Sequence, residues 1–472
     1  MLIRILYILF LCSFLTSQSF FNRFIGEDNQ LGDARATALA NTNTTSGETG
    51  LITSKNPARL SYLSNTKKGI ILNTQLQYRM FLERRSVPYY DQFDELLAYT
   101  DYVQNRQSNS YGSFGFSVNQ SISNDSKLGI GISMMPLSSF NYNYEEEVRA
   151  EESFDDGVIG TKDPILGYHI YENKGNIDVF SIGLGYSTKI NSESQISFGI
   201  AVNHILNSEV SDYVKIDTVF QTEFNEEVFE DFEEYEDYLE TIYSNFSDIE
   251  PIKSKNKTTS AKYETFSIEF PLSIYSPKSS IIFAVENDAF IRSSIYPDID
   301  EWISIISGLP SILEEHNGPY TWAYIFNQFG FEYYKPRKMT FGLRLDKNRT
   351  LLVFENTRED YSNVISSIFN DINEFKIGFE YRFRIGIPIR MGLSYKEPIF
   401  NRFGPITKFS LGSAKGFFNN KLNVGFALSY YITDYLYEDI FPVQSFSDNC
   451  SISCEKITES NMSLMTTLKW SF

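Results

Sequence analysis

Hydrophobic and polar residues alternate with a period of two along most of the chain. In "KLNVGFALSYYIT", Leu422, Val424, Phe426, Leu428, Tyr430 and Ile432 share one face, and Asn423, Gly425, Ala427, Ser429 and Thr433 share the other. In "EFKIGFEYRFRIG", Phe375, Ile377, Phe379, Tyr381, Phe383 and Ile385 oppose Lys376, Glu380, Arg382 and Arg384. The final "MSLMTTLKWSF" repeats the pattern, with Met462, Leu464, Thr466, Leu468, Trp470 and Phe472 on one side. A β-strand turns successive side chains to opposite faces, so each stretch predicts a strand with one apolar face. Soluble sandwiches also alternate, but their strands are shorter and a second sheet hides the apolar face. Strands of about ten residues or more have the length a tilted strand needs to cross a bilayer.

About fourteen such strands are predicted, beginning near Lys67, Ser110, Ser126, Gly175, Ser194, Thr258, Ser279, Arg337, Arg349, Asn373, Pro388, Pro405, Lys421 and Glu459. Their connections alternate in length. Every second one is a turn such as "SNDS", "NSES", "SPKS", "DKN" or "FNNK", and the others are longer. Short periplasmic turns alternating with long outer loops are the signature of an outer-membrane barrel with both termini in the periplasm. The predicted fold class is therefore all-β, a 14-stranded antiparallel transmembrane β-barrel. The last strand closes it, because closure removes the unpaired edge that a bilayer cannot satisfy.

Composition narrows the partners. The chain has 472 residues and a formal charge of −19, with 31 Tyr and 40 Phe but only 3 His and 3 Cys. No basic stripe is available to neutralise phosphates, so a nucleic-acid partner is excluded. Arg4 precedes an apolar run from Ile5 to Leu15, followed by Ser17 and Ser19 at cleavage-site spacing. That run is too short to cross a bilayer, so residues 1–19 are expected to be a signal peptide. Leu11 is bulky where a lipoprotein signal has a small residue before its cysteine, which argues against Cys12 as a lipid anchor. No other stretch is long and apolar enough for a membrane helix.

Between signal and first strand lies "LGDARATALANTNTTSGETGLITSKNPARLSYL", too polar and irregular for a membrane strand. Its Ala34-Arg35-Ala36, followed about twenty residues later by Asn56-Pro57-Ala58 and Leu60, resembles the N-terminal hatch of FadL-type outer-membrane transporters and of the related PorV-like barrels. The motif covers roughly residues 30 to 63, whereas the strand count extends the likeness to the whole mature architecture. The resemblance implies an N-terminal luminal hatch over residues 20–66 inside a barrel formed by 67–472. Where many relatives carry paired acidic residues before the motif, this chain has only Glu48. Read from its own chemistry, Asn56-Pro57-Ala58 is a turn, since Asn bonds its own backbone and Pro fixes φ.

Several features bear on binding. Between Asp217 and Ile252 an acidic run without Lys or Arg carries Val228, Phe232, Tyr235, Leu239, Ile242 and Phe246 at helical spacing. Ile299, Trp302, Ile303 and Ile306 repeat that spacing in the next long loop. Such stripes either pack over the barrel mouth or face a ligand. The resemblance implies a capture groove, placing Phe232, Leu239, Ile299, Trp302 and Ile306 against an apolar molecule. In "LGIGISMMPLSSFNYNYEEEV", Pro136 cannot donate to the ladder and predicts a bulge or break. The FadL-type family uses such a kink as a lateral exit, which falls here on Pro136, Leu137 and Ser138. Inward-facing Arg79, Glu269, Glu286, Arg344, Arg382, Arg384, Arg390 and Lys396 suit a carboxylate or, preferentially, anchors between hatch and wall.

Cys450 and Cys454 form a close pair in an exported loop and read as a disulfide. His169, His204 and His316 are scattered and no G-x-S-x-G occurs, so neither a metal, nor a cofactor, nor an enzyme activity is expected. The resemblance implies passive transport of a long-chain fatty acid or other hydrophobic molecule. Its expected partners are that molecule, outer-membrane lipids and the barrel assembly machinery. The alternative is a PorV-like accessory barrel that binds secreted proteins in type IX secretion.

Overall fold

The structure, a computed structural model, describes residues 25–28, 32–63, 68–93, 95–149, 165–191, 194–215, 251–293, 331–361, 369–400, 403–437, 440 and 455–472. Its strands, in chain order, are β1 (Glu27–Asp28), β2 (Lys68–Tyr90), β3 (Leu96–Ser121), β4 (Ser126–Ser139), β5 (Tyr142–Arg149), β6 (Ile165–Lys174) and β7 (Asn176–Lys189). They continue as β8 (Gln195–Ile205), β9 (Glu209–Lys215), β10 (Ile252–Lys257), β11 (Ala261–Pro271), β12 (Ser280–Glu286), β13 (Ala289–Arg292) and β14 (Glu332–Lys335). The last seven are β15 (Arg337–Lys347), β16 (Thr350–Asp360), β17 (Ile372–Arg382), β18 (Pro388–Lys396), β19 (Ile406–Phe417), β20 (Leu422–Tyr437) and β21 (Glu455–Ser471).

Fourteen of these strands form one antiparallel wall in the order β4-β3-β2-β21-β20-β19-β18-β17-β16-β15-β12-β11-β8-β7, and pairing of β7 with β4 closes the ring. The first and last wall strands pair along most of their length, from Ile71↔Ser471 to Ser86↔Lys456. The expected strand starts coincide with the observed ones within a few residues, with one exception. The second wall strand begins at Leu96, not near Ser110, and runs for 26 residues. Its partner β2 is likewise 23 residues long. The outer halves of the two pair with each other beyond the reach of the bilayer, where no apolar outward face is required. Residues 96–109 therefore lack the alternation that marks a membrane strand.

Outward positions are apolar and exposed. Leu72, Leu76 and Met80 on β2 and Phe426, Leu428, Tyr430 and Ile432 on β20 all face out, whereas Asn73, Gln75, Gln77 and Arg79 are buried on the inner side. In water the exposed part of each such side chain, half or less of its surface, would forgo roughly 1 kcal/mol of burial, so the belt belongs in hydrocarbon. At the long-connection end a second sheet, β10-β9-β6-β5, and the antiparallel pair β13–β14 continue above the wall.

Residues 33–62 lie inside the ring and are almost entirely buried. They form two short helices, α1 (Ala34–Ala38) and α2 (Asn43–Ser46), and two 3-10 turns at Gly50–Ser54 and Pro57–Tyr62. Asp33 caps α1 by accepting from the Ala36 N–H at 2.9 Å. The inner wall accepts this segment because it is bare at the contact points. A Cβ on Gly199 would sit 2.0 Å from the Ala58 nitrogen, and one on Gly392 would sit 2.2 Å from the Ala40 nitrogen. Backbone of the segment lies directly on backbone of the wall.

Candidate functional site

The Pro136 break is present, and it is larger than a bulge. β4 pairs with β3 only from Lys127 to Met134, while on its other side it stays with β7 as far as Ser139, with a register shift between Pro136 and Ser138. Every residue from Met135 to Phe140 is buried, so the end of β4 turns away from β3 and into the lumen. This leaves a sheet edge whose donors and acceptors need partners. β1 supplies them, with Glu27 opposite Ser139 and Asp28 opposite Ser138. The Arg79 guanidinium lies 2.9 Å from the Glu27 carboxylate, and the Tyr111 hydroxyl donates to Ser139 Oγ at 2.8 Å across the seam. On the outside the parting of β3 and β4 opens a groove of about 650 Å³ that reaches Asn109, Tyr111, Asn141 and Lys174.

Behind the break the lumen is apolar. Met135, Leu137 and Phe140 pack with Ile177, Val179 and Ile205 of the neighbouring strands, with Leu51 of the luminal segment, and with Ile291, Phe331 and Tyr333 at the β13–β14 pair. The Phe140 ring meets Phe331 edge-on at 5.0 Å and Tyr333 at 5.4 Å. The other side of the lumen is charged. Lys338 and Lys396 reach Glu359 at 2.7 and 3.5 Å, and Lys376 reaches Glu374 at 2.9 Å. The lumen thus has two faces, and the break opens beside the apolar one.

Polar anchors fix the luminal segment. Lys55 pairs with Glu286 at 2.9 Å, and Glu355 accepts from both the backbone and the hydroxyl of Thr45. Asn56 donates to the Thr44 carbonyl, Pro57 opens the second 3-10 turn, and the Ala58 N–H donates to Ser267. The sequence motif is thus the point where the segment turns and meets β8 and β11. Arg35 forms a bidentate pair with Glu380 and also contacts Glu48, the single acidic residue before the motif. Burial pulls the Arg35 guanidinium down to about 9; Glu380 opposes this, and Arg344, Arg390 and Arg382 add to it.

The predicted wall charges fall into two groups. Arg344 anchors the segment through the Thr45 carbonyl, and Arg382 and Arg390 converge on Glu380. Arg384 is not luminal. Strand β17 ends at Arg382, so Arg384 falls in the turn that follows and is exposed, although its parity matched an inward position. Phe232, Leu239, Ile299, Trp302 and Ile306, the pair Cys450 and Cys454, and the signal segment lie outside the described residues. Sequence reading placed Glu380 on the inner face of its strand but gave it no role, and it missed Glu27 and the apolar wall; the last was signalled by inward Met, Ile and Val in strands whose other inward residues are mainly Ser, Asn and Gly.

No family model matches the chain, and no curated protein matches it significantly. Solved structures do. A FadL homologue of Pseudomonas aeruginosa superposes with a TM-score of 0.54 at 11% identity, covering 95% of this chain and 99% of its own. A deltaS2 mutant of the TodX monoaromatic hydrocarbon channel gives a TM-score of 0.50 at 12% identity, covering 94% of this chain and 100% of its own. The chain has the FadL-type fold. With its closed wall and apolar belt it is a multi-pass barrel of the outer membrane, and short turns at one end with long connections at the other put the short turns in the periplasm, as in bacterial barrels generally.

Proposed function

We propose that this protein passes hydrophobic small molecules from the outside of the cell into its outer membrane, with long-chain fatty acids as the first candidates. The carrying observation is the end of β4, which leaves β3 at Met134 directly beside the apolar face of the lumen. A molecule that replaces the Phe140–Phe331 contact would have a hydrocarbon path from lumen to bilayer without crossing the charged face. On this reading the loop stripes holding Phe232 and Trp302 make the first contact outside, and Pro136, Leu137 and Ser138 form the exit. Transport is downhill and needs no cofactor.

Replacing Pro136 with Val is the direct test. Valine restores a ladder donor and favours continued pairing of β4 with β3 opposite Gly112. Uptake of a fluorescent fatty acid by cells carrying the variant should fall several-fold while surface binding stays at the parental level. Equal uptake by parent and variant, with both folded, contradicts the proposed exit.

A further inference from the structure

The short-turn end of the barrel holds a second cavity, of about 580 Å³, lying on the other side of the luminal segment from the β4 break. We propose that this periplasmic vestibule binds a small oxyanion, a carboxylate or a phosphate. In a chain of formal charge −19, its walls are cationic: five arginines with Lys127 and Lys278 face four carboxylates among the described residues.

The arginines also carry more hydrogen-bond donors than the facing carboxylates can accept. A carboxylate offers about four acceptor sites. Glu380 uses four, two on Arg35 and one each on Arg382 and Arg390. Asp346 takes Arg344 at 2.8 Å and Arg382 at 3.0 Å. Each guanidinium carries five N–H donors. Arg390, nine-tenths buried, is bonded to protein through Nε alone, which leaves its terminal nitrogens without a protein acceptor among the described residues. Arg59, also buried, donates to the Thr45 carbonyl and has no carboxylate partner among them. Anchoring the luminal segment to the wall accounts for Arg35 and Arg344, whereas among the described residues Arg59 bonds only within the segment and Arg390 only through Nε.

An oxyanion supplies what is missing, since planar forks of N–H donors match carboxylate and phosphate oxygens. Three sources share that chemistry: free phosphate, a short organic acid, and the head of a fatty acid. They differ in what else they present. The test is isothermal titration of the full-length folded protein in detergent at low ionic strength with inorganic phosphate, acetate and octanoate in separate runs. Saturable binding of at least one is expected, and the ranking names the source: phosphate strongest for the free ion, acetate equal to octanoate for a bare acid, octanoate strongest for a fatty acid. Arg390→Gln should weaken binding roughly tenfold, the loss of one charge-assisted pair. Lys278→Gln, in an exposed turn, should fold normally and weaken it roughly twofold through the field alone. No saturable binding of any probe, or binding of the same strength in Lys278→Gln and Arg390→Gln as in the parent, overturns the proposal.

Discussion

Replacing Glu380 with Ala should destabilise the folded barrel by about 3–5 kcal/mol, the cost of leaving buried charge without its partner. Three guanidiniums converge on this carboxylate, at 2.9 Å from Arg35, 2.6 Å from Arg382 and 2.7 Å from Arg390. Arg35 belongs to the luminal segment and the other two to the wall, so the loss acts on both at once. Glu380→Gln keeps two polar ends and should cost less than Ala. The check is heat-modifiable migration in a detergent gel: the temperature at which the compact band gives way should drop for both variants, in the order Gln then Ala. A compact band as heat-resistant in Ala as in the parent would mean that the arginines find other acceptors.

Gly199→Val should displace the luminal segment and make the barrel conduct ions. The new Cβ would stand 2.0 Å from the Ala58 nitrogen and 2.3 Å from the Pro57 carbonyl carbon, and both are backbone that no rotamer change can move away. Overpacking of a close-fitted interior costs about 1–3 kcal/mol even where side chains can yield. Here the cheaper response is for the Pro57–Tyr62 turn to lift off β8, breaking the bond from the Ala58 N–H to Ser267. In planar bilayers the parent should be largely silent and the variant should open in discrete steps. Gly112→Val is the matched control, because nothing lies within 4 Å of its Cβ, and it should stay silent.

The wall was readable from sequence because the bilayer imposes one rule on every strand: apolar outward at each second position, with short turns on one side. β20 shows the rule, with Phe426, Leu428, Tyr430 and Ile432 all outward and exposed. It says nothing about the other face. There Gly129, Gly185, Gly199, Gly378 and Gly392 mark where the luminal segment touches the wall, but an inward glycine has the same sequence context as an inward serine. Pro136 announced an irregularity through its missing N–H, yet nothing local said that β3 would let go two residues earlier or that Glu27 and Asp28 would cover the edge. Those are contacts between positions more than a hundred residues apart. Arg384 shows the limit of parity, which holds only while the strand continues.

The proposed exit through the β4 break requires that β1 leave the edge it covers. Glu27 and Ser139 are direct partners in an antiparallel pair, with Cα atoms separated by a distance a disulfide spans. Cells carrying Glu27→Cys together with Ser139→Cys should import a fluorescent fatty acid slowly when the pair is oxidised and at the parental rate after mild reduction, with surface binding unchanged throughout. Parental uptake by the fully oxidised, cross-linked protein would contradict the account.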